Sequence, residues 1–214
     1  MTQRYYIETD GRIFLVPRDE TFDLPTKDEI PFEIEPIAPL WASSEVTFCV
    51  PELEAHPTHW MRKDDVPGDP HVTPLVREAV HASMPRVVSE GVFIQNELLL
   101  LLKGNRGLTK DRWTLPGGFI RFGEGPVDGL LREIREELEV RAEIGDLLAV
   151  RSKLGEHTLL HWTQFFYRVT LFGEIKPNPD EIAEARFFEF QEGAKLLADP
   201  LMGEVIASLL PLIG

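Results

Sequence analysis

From residue 126 onward, Val127, Leu130, Leu131, Ile134 and Leu138 recur at intervals of three and four, the repeat of a helix with one apolar stripe. Pro126 suits the first helical position, where its fixed φ and missing N–H cost nothing. Elsewhere the apolar residues alternate or run continuously. The stretch 87–103 predicts a hairpin of two apolar strands, 162–171 a central strand and 185–190 another, with a helix expected over 196–212. Near the start, Tyr5-Tyr6-Ile7 and Ile13-Phe14-Leu15-Val16 flank Asp10-Gly11, a strong hairpin signal. Residues 46–50 predict a strand, 56–70 a polar, turn-rich link, and Leu75, Ala79 and Val80 a helix within 74–84. Because 11 of 17 prolines precede Arg86, the two parts of the chain should differ in kind. We expect a small, mostly β N-terminal region over 1–85, serving as lid, specificity or dimerisation element, and a larger α/β domain over 86–214.

Composition narrows the classes. The chain has 214 residues, 43% of them hydrophobic and 27% charged, enough for one full core and a smaller one. Its net charge is −14, with 7 basic and 16 acidic groups in 1–85 and 15 and 20 in 86–214, so neither part reads as a nucleic-acid surface. No run approaches the roughly 20 apolar residues of a membrane span, and the Met1-Thr2-Gln3-Arg4 start lacks the apolar core of a secretory signal. A soluble cytoplasmic protein is expected. The single cysteine, Cys49, excludes an internal disulfide and a cysteine-based zinc cluster.

Candidate chemistry sits on the helix that opens at Pro126. At about 100° per residue, Glu133, Glu136 and Glu137 share one face, off the apolar stripe, so three carboxylates are expected to converge. Like charges at this spacing oppose the helix unless a cation neutralises them, and hard carboxylate oxygens suit Mg²⁺ or Mn²⁺. Taken alone, Arg132-Glu133-Ile134-Arg135-Glu136-Glu137-Leu138-Glu139 reads better as a solvated face with Arg132–Glu136 and Arg135–Glu139 pairs.

The longer spacing decides between them. Gly118, five residues, Glu124, seven residues, then Arg132-Glu133-Ile134, Glu136-Glu137 and Val140 resembles the Nudix box of the Nudix hydrolase superfamily. The lead-in Trp113-Thr114-Leu115-Pro116-Gly117-Gly118-Phe119 matches as well. One position departs: Glu139 stands where the box has Gly, which we expect to change the helix exit while leaving the acids intact. The resemblance implies an α/β/α sandwich with a mixed sheet. It also implies that Glu133, Glu136 and Glu137 bind divalent metal with help from the Gly117 carbonyl, that Arg132 orients a glutamate, and that Glu124 braces this network. The reaction implied is metal-activated water attacking phosphorus in a nucleoside diphosphate linked to another group.

The general base is open between Glu136 or Glu137 on the helix and Asp180, Glu181 or Glu184 in the proline-flanked segment after Lys176. Glu181 is the candidate carried forward. Lys103, Arg106, Lys110 and Arg112 cluster between the hairpin and the lead-in, a candidate phosphate clamp in an acidic chain. The absence of proline between Arg141 and Lys176 argues against an ADP-ribose-type member. The alternative function is a non-catalytic Nudix-fold nucleotide sensor.

Overall fold

The structure is a computed structural model that describes residues 2–41, 45–155 and 160–209. The chain divides into two compact units, Met1–Arg86 with Lys153–Trp162, and Val87–Ser152 with Thr163–Gly214.

The first unit contains strands β1 (Arg4–Thr9), β2 (Arg12–Phe14), β3 (Val16–Arg18), β4 (Thr21–Asp23), β5 (Ile34–Pro39), β6 (Val46–Pro51) and β7 (Met61–Arg62), then helix α1 (Pro74–Ser83). Asp10 and Gly11 join β1 to β2 with φ of 49° and 66°, the paired positive values of a tight primed turn. Five strands form one sheet in the order β5-β6-β1-β2-β7, with β1 parallel to β6, and β3 and β4 pair separately. Successive residues of β1 serve opposite faces. Tyr6 packs with Ile13, Leu24, Val66 and the α1 residues Val76, Ala79 and Val80, whereas Ile7 packs with Cys49 and Trp60 beneath Phe14 and Phe32. The link expected over 56–70 is therefore partly core. Trp60 and Val66 are buried and Met61 pairs with Ile13, because isolated large apolar residues in a polar stretch are anchors that periodicity does not detect.

The second unit is a three-layer sandwich. Its strands are β8 (Arg86–Gln95), β9 (Leu98–Gly104), β10 (Trp113–Thr114), β11 (Gly117–Phe119), β12 (Arg141–Leu154), β13 (His161–Phe172) and β14 (Ile182–Glu189). Helix α2 (Pro126–Leu138) follows β11, and α3 (Phe190–Leu196) and α4 (Pro200–Ser208) follow β14. The sheet runs β10-β9-β8-β13-β12, with β11 also on β8 and β14 on β9. Alternation along β9 sorts the two cores: Leu99 and Leu101 face Met202, Val205 and Ile206 of α4, while Leu100 and Leu102 face Leu130, Ile134 and Leu138 of α2. The α/β/α architecture is the one expected.

The helix expected over 196–212 differs. Two helices replace it, broken at residues 197–199, because Pro200 cannot continue a helix but can begin one, and Asp199 caps the new start by accepting from the Leu201 N–H at 2.9 Å. Residues 210–212 of that expectation lie outside the described residues. Among the described residues no helix is long and apolar enough to cross a membrane.

Candidate active site

The β8–β9 hairpin is paired at its turn, Ile94 with Leu99 and Gln95 with Leu98, and one segment bridges the strands farther on. Residues 113–114 pair with β9 and 117–119 with β8, so the segment crosses from one strand to the other through the buried Leu115. Gly117 permits the crossing. Its φ is 143°, and a Cβ there would lie 2.1 Å from the Ser89 carbonyl oxygen. Gly118 makes room for chemistry, since a Cβ would come within 2.8 Å of the Glu133 carboxyl carbon.

Helix α2 begins at Pro126, as expected, and buries Leu130, Ile134 and Leu138. Its other face carries Arg132, whose five N–H groups meet five acceptors. The guanidinium grips Glu124 through Nε to Oε1 at 2.8 Å and Nη2 to Oε2 at 2.9 Å. It also donates to Glu133 Oε1 at 2.6 Å, to Glu136 Oε2 at 3.1 Å and to the Phe119 carbonyl at 2.8 Å. One cation thus organises three carboxylates. Glu124 further accepts from the Arg121 N–H at 2.9 Å, and Gly129, buried opposite it, leaves space for its carboxylate. Arg121 adds a contact to Glu136 at 3.2 Å.

The acids are not electrostatically equivalent. Arg132 and the Arg121 N–H hold Glu124 at about 2. Glu133 is raised despite the same arginine, because burial outweighs a guanidinium committed mainly to Glu124, and Glu136 and Glu181 add like charge. Glu137 stands well above the ordinary carboxylate range: burial and the charges of Glu133, Glu181 and Glu136 outweigh the Gly117 N–H, which it accepts at 3.0 Å. Glu90 is raised as well, by burial first and then by Glu137, Asp199 and Glu133. Sequence reasoning passed over Glu90. The signal was a single acid within the apolar run of β8, and its pairing with Gly117 sets it beside the crossing.

The segment after Gly173 seals the end of α2. Lys176 N donates to the Leu138 carbonyl at 2.9 Å, Asn178 N to Glu137 at 2.8 Å, and Asn178 Nδ2 to the Glu136 carbonyl at 3.1 Å, satisfying carbonyls that a helix end leaves bare. This docking brings Glu181 within electrostatic reach of Glu133 and Glu137.

Of the basic cluster, Arg106 reaches the acids, pairing with Glu181 Oε1 at 2.5 Å. Lys103 is half-buried on β9 opposite Trp113 and Glu184, Lys110 and Arg112 are exposed, and none of these three forms an ion pair with an acid among the described residues. Nor do the three helix acids point at one centre. Glu133 and Glu136 turn to Arg132 and Glu137 to Gly117, and among the described residues no three acid, histidine or cysteine side chains stand in a ligating arrangement. The donor set nonetheless fits a hard divalent cation. Glu133 and Glu136 share the engaged Arg132, and Glu90, Glu133 and Glu137 are raised first by burial and then by neighbouring carboxylates, a condition that a bound cation would relieve.

The exit of α2 is not changed by Glu139. It adopts φ 50° and ψ 30°, the left-handed stop that glycine would make, with its N–H on the Arg135 carbonyl at 3.1 Å. The helix end is fixed by Val140 and Leu138 entering the core, and the residue between them accepts the strain.

Residues 85–209 match the family model of the NUDIX domain. The chain belongs to the Nudix family. It is 29% identical over 115 residues to an ADP-ribose pyrophosphatase of Methanocaldococcus jannaschii, covering 54% of this chain and 68% of that protein. It is 28% identical over 123 residues to Nudix hydrolase 7 of Arabidopsis thaliana, covering 54% and 43%. Among solved structures, a Nudix hydrolase from Nitrosomonas europaea superposes with a TM-score of 0.51 at 26% identity, over 59% of this chain and 70% of that one. The shared part is the Nudix domain, and residues before it fall outside the family match.

Proposed function

We propose that this Nudix protein hydrolyses the phosphoanhydride of a nucleoside diphosphate linked to another group. The observation that carries the reading is the arrangement on α2, with Arg132 saturated by Glu124, Glu133, Glu136 and the Phe119 carbonyl beside a half-buried, charge-crowded Glu137. The relative named ADP-ribose pyrophosphatase supports the same class and weakens the argument from the missing proline.

In this reading Glu133, Glu136 and Glu137 hold Mg²⁺ or Mn²⁺, with the Gly117 carbonyl and Glu90 beside them. When bound, the cation polarises phosphoryl oxygens and lowers the pKa of a ligated water. Arg132 keeps Glu133 and Glu136 in place, and Glu124 keeps Arg132 in place. Glu181 accepts the proton of the attacking water, delivered to the acids by a segment anchored to the end of α2. Lys103, Arg106 and Arg112 supply positive charge for the substrate phosphates. The remaining assignments are a small nucleotide-type substrate and no nucleic acid or membrane, consistent with the acidic surface, in a cytoplasmic protein. Residues 1–85 would serve as a lid, specificity or dimer-forming region.

The test is product formation from a panel of ADP-ribose, nucleotide sugars, dinucleotides and nucleoside triphosphates with Mg²⁺ or Mn²⁺, using Glu137→Gln as control. Metal-dependent cleavage lost in the variant supports the assignment and names the substrate. Silence across the panel with nucleotide still bound would leave a nucleotide sensor.

A further inference from the structure

The acid segment and the basic loop are tied to each other. Besides the Arg106–Glu181 ion pair at 2.5 Å, Asn105 N donates to the Glu181 carbonyl at 2.7 Å and Asn105 Nδ2 to the Pro179 carbonyl at 2.8 Å. The same segment is pinned to α2 through Asn178 and Lys176. Glu181 therefore sits between two attachments, one leading to the helix that carries the acids, the other to a guanidinium on a loop with no other acidic partner for Arg106 among the described residues. The arginine side is the looser of the two. Arg106 is 67% exposed and Glu181 27%, so the pair is open to competition from a stronger anion.

We propose that Arg106 is a positioning residue that holds Glu181 in reserve and exchanges it for a substrate phosphate. A phosphate is the better partner for the guanidinium, carrying more charge and able to accept from two of its N–H groups where Glu181 accepts from one. Once it takes Arg106, the Glu181 carboxylate is freed while its backbone stays anchored by Asn105 and Asn178, so it is released at the acid cluster rather than lost to solvent. The exchange couples arrival of the diphosphate to readiness of the acid. The inference rests on the reading of Glu181 as an acid working at this site, and its first test is independent of turnover.

That test is binding of inorganic pyrophosphate in chelator, measured by calorimetry on the full chain. Glu181→Gln removes the competitor and should tighten binding about two- to fivefold, the scale of an exposed ion pair. Arg106→Gln should weaken it, and adding Glu181→Gln in the Arg106→Gln background should then tighten nothing, a non-additivity that simple loss of negative charge does not produce. Asp180→Asn, the same charge change one residue away, serves as control and should leave binding within about twofold. Equal tightening by Asp180→Asn, or tightening by Glu181→Gln that persists without Arg106, overturns the exchange. On the substrate found by the panel, Arg106→Gln should raise KM and lower kcat together, with Arg106→Lys recovering KM in part, since a lysine can meet phosphate as a point charge. If pyrophosphate behaves as expected but nothing is cleaved, the exchange stands and the hydrolase reading fails. Cleavage with additive binding energies is the reverse case.

Discussion

Glu139→Gly should stabilise the protein, an unusual direction for a glycine substitution near a helix. Glu139 closes α2 in the left-handed conformation, where a Cβ crowds the backbone and costs about 1–2 kcal/mol. Its side chain is exposed and makes no hydrogen bond or ion pair among the described residues, so nothing is lost by removing it. Against the gain stands the greater freedom of glycine in the unfolded chain, about 0.4–1 kcal/mol. At the middle of both ranges the difference is roughly 0.8 kcal/mol in favour of the variant, or about 2–3 °C in Tm for a chain of this size. A second contribution has to be separated from it. A carboxylate at a helix C-terminus opposes the macrodipole by about 0.3–1 kcal/mol, and its loss would also stabilise. Glu139→Ala isolates this contribution, because alanine keeps the Cβ and drops the charge. Calorimetric melting of the three proteins at low and at high salt gives the answer: glycine should exceed alanine, and the excess should survive salt, which screens only the dipole effect. If alanine matches glycine, backbone strain at this position is not real and the account of the helix exit fails.

Three further outcomes follow from the site. Arg132→Lys removes a five-donor fork that a single ammonium cannot replace, and turnover should fall about 10- to 100-fold with weaker metal binding, measured by titrating Mg²⁺ in the assay. Unchanged metal dependence would contradict the bracing role. Gly118→Ala should displace the Glu133 carboxylate, which can swing aside, so denaturant stability should change by less than about 1 kcal/mol while metal affinity drops about tenfold; a fold that collapses instead would mean the glycine serves the backbone. For pH, Glu90, Glu133 and Glu137 have folded values above their unfolded ones, so the metal-free fold binds the extra protons and loses stability as pH rises from the ordinary carboxylate range through those raised values. Glu124, held at about 2, acts oppositely, its contribution being lost only as pH falls through that value. Thermal shift by Mg²⁺ should therefore be larger at about pH 8 than at about pH 5.5, and an equal shift at both would remove the charge-relief argument.

Much of this was legible in the chain. Asp10-Gly11, Pro126 and the continuous apolar run of β9 act locally, through φ preferences and side-chain period, so the hairpins and α2 could be read without knowing what they pack against, while the sandwich came from the resemblance that the box carries. The box spacing brought Glu124, Arg132, Glu133, Glu136 and Glu137 together because one helix and one preceding loop contain them all. What escaped depended on distant partners. Glu90 matters because Gly117 pairs with it, Asn178 because α2 ends where it does, and Trp60 because a sheet five strands wide covers it. Glu139 shows the limit from the other side: a local rule predicted a changed exit, and the burial of Leu138 and Val140 on either side overrode it.

The central claim is that the α2 acids support phosphoanhydride cleavage through a bound cation. Its most direct test is turnover of the best panel substrate by the native chain and by Glu137→Gln across a Mg²⁺ titration, with folding checked by melting. The account predicts metal-dependent cleavage in the native chain and at least about a hundredfold loss in a variant that folds as well or better, since the substitution removes a half-buried, charge-crowded carboxylate. A folded Glu137→Gln that cleaves at the native rate with the native metal requirement would contradict it.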